Sequence, residues 1–258
     1  MKTVSLVIFV VIQSIVLFAQ NITGIVKYNQ VIRNSSDTTN YTEIEMELIF
    51  NTQKTIYKVT PKKLSGKLHG FSESKAIFYK ANPSADRIGT VYKDFVLNTV
   101  SAVEPAMQER IFMRDTMTAI NWKIGKETKT LGELVCQRAE ADVRGRHWTV
   151  WFAPQISSSS GPWKLYGLPG LILEASDHTR NIKYLFESIQ IPAPANTIIE
   201  PLEPDTDQRV MNRNQFVKQL IINRDNYIKM IDADSNYPGI KTTMKIGSIE
   251  IFSEMEEK

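Results

Sequence analysis

The chain has 258 residues and a formal net charge of +3, from 31 basic and 28 acidic residues, and 42% of its residues are hydrophobic. So small an excess of positive charge gives no electrostatic reason to expect nucleic acid or an anionic membrane as a partner. The hydrophobic content supports a packed core, and the single cysteine, Cys136, excludes an internal disulfide bond.

The N-terminal segment has the composition of a secretory signal peptide. A lysine precedes a mostly apolar run over residues 4–18, and the small residue Ala19 follows. The run is shorter than the ~20 residues that a spanning helix needs, which favours cleavage near Ala19 or Gln20 over an uncleaved anchor. We therefore predict a signal peptide over residues 1–20 and one β-rich domain over residues 21–258. After cleavage that domain has no transmembrane span and lies in the periplasm, at the outer envelope or outside the cell.

The first part of this domain is patterned as an antiparallel sheet. Residues 21–32 mix Ile, Val and Tyr with polar residues, as a first strand does. In residues 41–50, Ile44, Met46, Leu48 and Phe50 lie on one face and three glutamates, at 43, 45 and 47, lie on the other, which is typical of a strand with one buried and one solvent-exposed face. Residues 55–60 provide its hairpin partner. Residues 63–89 predict a loop with a short edge strand, and further strands are expected over residues 90–97, 107–112 and 117–124.

A hairpin rich in aromatic residues follows. Residues 134–143 and 147–153 flank the sequence RGR, in which Gly145 can supply the positive φ of a tight turn. One face of the second strand carries Trp148, Val150 and Phe152, and the other carries Thr149, Trp151 and Ala153. Aromatic residues on both faces predict a strand that is covered on both sides and lies near the middle of the fold.

The last part of the domain predicts a second hairpin and one helix. Residues 171–175 and 182–191 flank a stretch of turn formers, whereas the four prolines of residues 192–207 indicate an extended connection. Asn212 or Asn214 can serve as the N-cap of a helix, and apolar residues then recur at helical spacing up to Ile231. Residues 232–239 resemble half of a calcium loop but lack its glycine and glutamate, so they predict a turn, and the C-terminal residues add a short strand.

These elements predict one mainly β domain of the α+β kind. We expect an antiparallel curved sheet or partly open β-barrel with the C-terminal helix packed against it.

The sequence Leu168-Pro169-Gly170-Leu171 predicts a rigid corner. Proline presets φ for the second position of a type II turn, and glycine accepts the positive φ of the third. GLPGLIL follows GPWKLYG, with RGRHWTVWFAPQI and CQRA upstream, all within residues 122–177. These ordered motifs resemble the GLPGLI family of exported envelope proteins from diderm bacteria. The resemblance implies export and a shared fold. It carries over no catalytic residue, because the family's biochemical role is unassigned.

Local catalytic signatures are lacking in the sequence. The histidines His69, His147 and His178 have no metal-ligand spacing, and no cofactor is indicated. Residues 157–160 are serines without the nucleophile elbow, and no glycine-rich phosphate loop is present.

We therefore predict a noncatalytic binding or assembly protein for a lipid, a peptide or an envelope protein. By analogy with other curved sheets, a ligand site is expected near the corner. Its candidate residues are Trp148, Trp151, Phe152, Trp163, Leu168, Pro169 and Leu171. The alternative is a hydrolase or metal-dependent enzyme whose dispersed site uses His147, Cys136, Glu174 or Asp177. A closed core with neither arrangement would favour a structural or interaction role.

Overall fold

The computed structural model describes residues 23–34, 37–60, 67–69, 89–106, 109–206 and 208–232. The predicted signal peptide, the turn after the helix and the C-terminal strand lie outside these residues. Within them the elements are β1 (Gly24–Asn34), β2 (Asp37–Phe50), β3 (Lys54–Val59), β4 (Lys67–His69), β5 (Val91–Asp94), β6 (Thr99–Ala106), β7 (Glu109–Thr116), β8 (Lys123–Leu131), β9 (Leu134–Val143), β10 (Arg146–Ala153), β11 (Leu171–Asp177), β12 (Ile182–Gln190), β13 (Val210–Met211) and α1 (Arg213–Asp232).

The strands form one long, mostly antiparallel sheet. Its order runs from β13 through β7, β6, β5, β3, β2, β1, β12, β11, β10 and β9 to β8, and β4 pairs with β2 beside this path. The exception to the antiparallel pairing is the short parallel contact between β13 and β7. The predicted mainly β class is therefore confirmed.

The sheet curves around the larger of the two hydrophobic clusters that its described residues form. Tyr57 on β3 and Tyr184 on β12 are separated by two intervening strands, so a flat sheet would hold them about 14 Å apart. Their ring centroids are only 6.0 Å apart. As the alternation in β2 predicted, Met46, Leu48 and Phe50 are buried on the concave side.

Three predictions near the sheet edges are wrong. The strand predicted over residues 117–124 is wrong, because residues 117–122 connect β7 to β8. Strands β6 and β8 were not predicted. The β9–β10 hairpin lies close to the β8 edge and not in the middle of the sheet. The outer face of β10 also lacks the predicted cover over Trp151, which is half-buried.

Helix α1 covers the other end of the sheet. Asn212 caps it, since its side chain accepts from the Gln215 amide at 2.9 Å and the Gln215 side chain accepts from the Asn212 amide at 2.9 Å. Phe216, Val217 and Leu220 are buried. The helix contacts β6, β7 and β13, as the predicted amphipathic stripe requires. No helix in the described part of the chain has the length and apolar character needed to span a bilayer.

The concave side is filled by residues 154–170, which connect β10 to β11 and which we call the plug segment. Its residues Trp163, Leu165 and Leu168 are buried in the core. The side-chain nitrogen of Lys93 on β5, itself fully buried, lies within hydrogen-bond distance of the carbonyls of Gly161, Trp163 and Leu165, at 2.6, 2.9 and 3.2 Å. One side chain thus holds residues 161–165 of the plug segment against the sheet.

Three tyrosines of the sheet are buried in the core, and burial raises the pKa of each hydroxyl well above its ordinary value. The Tyr28 hydroxyl donates to the Ile172 carbonyl at 2.7 Å, and the Tyr57 hydroxyl donates to Gln30 at 2.9 Å. The Tyr184 hydroxyl is buried without a hydrogen-bond partner among the described residues.

These contacts predict opposite results for two matched substitutions. Tyr28→Phe should lower the free energy of unfolding by about 1 kcal/mol, because it leaves the Ile172 carbonyl without its buried donor. Tyr184→Phe should leave stability unchanged or raise it slightly, because that hydroxyl is desolvated without compensation. Urea unfolding followed by circular dichroism measures both values. Equal losses for the two variants would contradict this assignment of the hydroxyl contacts.

Candidate functional site

Most of the predicted aromatic and apolar site residues lie in the closed core. Trp148, Phe152, Trp163, Leu168 and Leu171 are at most 3% exposed. The rings of Trp148 and Trp163 have centroids 5.8 Å apart, and Trp148 also stacks on Tyr184 at 5.8 Å. These residues pack against one another and line neither of the two cavities described below.

The remaining two predicted residues lie on the surface. Pro169 is exposed at the tip of a bend in the plug segment, and Trp151 projects from the outer face of β10. The structure therefore does not bring the seven predicted residues together around one ligand-sized space.

The predicted catalytic groups are also separate. His147 lies opposite Asp142, whereas Cys136 lies six residues earlier on β9, about 20 Å along the strand. Asp177 is buried and accepts from Arg146 at 2.9 Å and from the Ile182 amide at 2.9 Å. Glu174 forms an ion pair with Lys129.

Cys136 lacks the environment of a nucleophile. Burial raises the pKa of its thiol to about 11, while the neighbouring Lys129 lowers it and Glu174 raises it. Nucleophilic cysteines need the opposite shift, because the thiolate is the reactive form. Its packing is that of a small apolar residue.

A polar cavity of about 460 Å³ lies where the two ends of the curved sheet face each other, and we call it the inter-edge cavity. It lies between β7 with the connection that follows it, the β9–β10 turn, the plug segment and the start of α1. Because β7 and β9 are near opposite ends of the strand order, the cavity marks the gap that the sheet does not close. Its lining residues are Asp115, Thr116, Thr118, Ala119, Ile120, Asn121, Asp142, Val143, Arg144, Lys164, Tyr166 and Arg213.

A buried ion pair supports the base of this cavity. The fully buried Lys164 side chain contacts Glu104 at 2.7 Å, with an ammonium nitrogen 5.5 Å from the centre of the Trp163 ring. Burying two charges costs solvation energy, so a hydrophobic pair of similar volume would often be as stable. The pair therefore adds little net stability over an apolar pair, but it places a charged side chain in the cavity lining.

The plug segment and the β7–β8 connection hold each other in place at the cavity wall. The Tyr166 hydroxyl donates to the Thr118 carbonyl at 2.7 Å, and the Trp122 indole donates to the Tyr166 carbonyl at 2.8 Å. The residues of both segments that line the cavity are thereby fixed before any ligand arrives.

The rim carries charges of both signs. Arg144 and Arg213 supply two cations, and Asp115 and Asp142 supply two carboxylates. Asp142 also contacts His147 at 2.9 Å, which places the predicted His147 next to the rim. Arg144 has a φ of 51° at the first position of the tight turn, where Asn or Gly is preferred. Such a lining can pair with both donors and acceptors of a polar ligand.

Sequence reasoning missed this site because its residues come from four distant segments. One local signal was available, since Arg144 occupies a turn position that strongly favours Asn, Asp or Gly. No signal in the sequence indicated Lys164. Lysine is almost never fully buried unless it is paired, and the partner Glu104 lies 60 residues earlier, so the local sequence does not indicate the pair.

Comparisons with known proteins match part of the chain. A family model described as "Protein of unknown function (Porph_ging)" matches residues 140–174, which include Asp142, Arg144, Lys164 and Tyr166 of the cavity. A search of curated proteins finds no match.

Two solved structures are similar in fold. PNGF-II in the P21 space group is 14% identical, with 78% of this chain and 34% of that chain covered and a TM-score of 0.48. PNGF-II in the C2 space group is 14% identical, with 78% and 33% covered and a TM-score of 0.49. The chain thus spans about a third of the length of these structures.

Proposed function

We propose that this protein is an exported, noncatalytic envelope protein of the GLPGLI type that binds a peptide segment of an envelope partner in the inter-edge cavity. The observation that carries the proposal is the lining of that cavity, in which two arginines and two aspartates surround a volume of about 460 Å³. Export and envelope location are supported by the signal-like residues 1–20 and by the ordered motifs of residues 122–177.

The lining favours a peptide over a lipid. Ligand pockets for apolar molecules are lined mainly by apolar and aromatic side chains, and here those side chains are packed into the core. Lys164 is balanced by Glu104, and the two rim cations are balanced by two carboxylates. A peptide presents donors, acceptors and charges of both signs, so it complements such a lining better than an acyl chain does.

The enzyme alternative has weaker support. Its candidate groups His147 and Cys136 lie apart, and the raised pKa of Cys136 disfavours the thiolate. Glu174 and Asp177 are each engaged in an ion pair with a basic side chain. A cysteine nucleophile activated by histidine would need the two side chains within hydrogen-bond reach of each other.

Site-specific photo-crosslinking in the producing cell tests the proposal. A photoreactive phenylalanine analogue at the exposed, cavity-lining Thr118 should crosslink to a protein segment, whereas the same analogue at exposed Thr130 on β8 should not. Arg213→Glu should reduce the Thr118 crosslink by about tenfold, because it replaces a lining cation with a repelling charge. Lys218→Glu, exposed on the same helix, is the matched control.

Two results would overturn the proposal. Equal crosslinking from Thr118 and Thr130 would remove the cavity as the binding site. A lipid retained by the purified protein in native mass spectrometry, and lost in Arg213→Glu, would replace the peptide with a different ligand class.

A further inference from the structure

A second cavity of about 260 Å³ lies on the outer face of the sheet, across β10, β11 and β12, and we call it the outer groove. Strand register builds its floor. Thr149 pairs with Ser176 and Ser176 pairs with Lys183, so these three side chains form one row across the sheet. Trp151 pairs with Glu174 in the next row on the same face.

The groove has more positive than negative charge. Lys129, Arg180 and Lys183 line it together with a single carboxylate, that of Glu174. Lys129 reaches over Trp151, with its ammonium 4.6 Å from the ring centre, and forms an ion pair with Glu174. Glu174 is therefore already paired with one of the three cations.

The other two cations are available to a ligand. Within the part of the chain that the structure describes, the side chains of Arg180 and Lys183 make no hydrogen bond or ion pair. Two such cations in one groove attract an anion, and hydrogen bonds to a carboxylate or phosphate are the stronger kind.

The turn that carries Arg180 is rigidly built. Its backbone has a φ of 58°, and its amide donates to the Asp177 carbonyl at 2.9 Å. The buried Asp177 carboxylate also accepts from the Ile182 amide at 2.9 Å, which closes the turn. The position of Arg180 at the groove is thus set by backbone contacts rather than by a flexible loop.

Polar and apolar groups beside the cations define the rest of the ligand. The Thr149 hydroxyl donates to Glu140 at 3.2 Å and can still accept from a ligand hydroxyl, as the Ser176 hydroxyl can. Trp151 and Leu185 offer apolar surface. We propose that the outer groove binds an anionic sugar, a pyranose ring that carries a carboxylate or a phosphate. This site is separate from the inter-edge cavity and does not depend on the peptide proposal.

Nuclear magnetic resonance of the purified protein tests this site directly. The indole N–H signal of Trp151, assigned with Trp151→Phe, is followed during titration with glucuronate, glucose 6-phosphate, glucose and inorganic phosphate. At least one anionic sugar should shift this signal at concentrations where glucose does not, and the comparison of the two anionic sugars identifies the charged group. Lys183→Gln and Arg180→Gln should each weaken that binding about fivefold. Lys218→Gln on α1 is the control and should bind normally.

Three outcomes would overturn the proposal. The first is that neither anionic sugar shifts the Trp151 signal. The second is that glucose binds as tightly as the anionic sugars do. Inorganic phosphate that binds as tightly as the sugar phosphate would mean that the groove holds only an anion. Failure of these titrations leaves the crosslinking result at Thr118 unaffected, so the two proposals fail independently.

Discussion

Lys93→Met is expected to lower the free energy of unfolding by about 4 kcal/mol at pH 9, because the buried carbonyls of the plug segment that surround the Lys93 nitrogen lose their donor. Methionine fills a similar volume but cannot donate. Hydrogen exchange should rise first in residues 157–170, since the lost contacts belong to that segment. Urea unfolding gives the free energy, and exchange followed by mass spectrometry locates the change.

The size of this loss should depend on pH. Burial lowers the pKa of Lys93 from 10.5 to about 7. Between these two values the unfolded chain binds a proton that the folded chain releases, so Lys93 makes wild-type stability rise as pH increases from about 7 towards 10.5. Below pH 7 the folded protein bears the whole cost of burying the charge. The loss caused by Lys93→Met should therefore be about 2 kcal/mol smaller at pH 7 than at pH 9.

Lys54→Met provides the matched control for this prediction. Lys54 lies on the neighbouring strand β3, its side chain is 40% exposed, and its distance to Asp94 is 3.8 Å. Because Lys54 is screened by solvent and the buried Asp94 carboxylate keeps two backbone amide donors, loss of this pair should cost at most about 1 kcal/mol at either pH. Other titrating groups are common to both proteins and cancel in the difference. If Lys93→Met lowered the free energy of unfolding equally at both pH values, the assignment of a lowered pKa to buried Lys93 would be wrong.

The sequence predicted strands that have one face on the core better than edge strands or strands that contain proline. The alternation of apolar and polar residues predicted β2 and both hairpins on either side of the plug segment, because each of those strands has a face on the core. β8 has no such face, since it is an edge strand with mostly exposed residues, and lysines are common at edges that must not pair further. β6 carries Pro105, which weakens a strand prediction although the strand forms.

The candidate site was less predictable than the fold for a related reason. The aromatic residues chosen from the sequence are those that fill a core, and burial and ligand binding favour the same residue types. Whether these aromatic residues are buried or bind a ligand depends on the path of residues 154–170. This segment folds back into the concave face and does not leave an open pocket there. That path depends on Lys93 and Lys164, two buried lysines whose partners are remote in sequence.

The corner at Leu168-Pro169-Gly170-Leu171 was predicted as a type II turn, and the structure corrects this detail. The backbone bends there, but Gly170 has a φ of 155°, far from the value near 80° of that turn. Gly170 lies at the neck of the plug segment, next to the paired residues Ala153 and Leu171 that close it. The glycine is required because two backbone segments approach each other closely.

Gly170→Ala is therefore expected to reduce stability by about 4 kcal/mol or more, or to prevent folding. A Cβ at this position would lie 2.4 Å from the Ala153 carbonyl oxygen and 2.8 Å from Pro154 Cα, and these backbone atoms are fixed by the β10–β11 pairing. Gly167→Ala is the matched control, since its φ is also positive, at 94°, but its Cβ would meet nothing closer than Trp122 at 3.8 Å. The control should lose only about 1–2 kcal/mol from backbone strain. Soluble yield and urea midpoint compare the two variants. If Gly170→Ala matched Gly167→Ala in both, positive φ alone would explain the glycine, and the neck would not be held by close backbone contact.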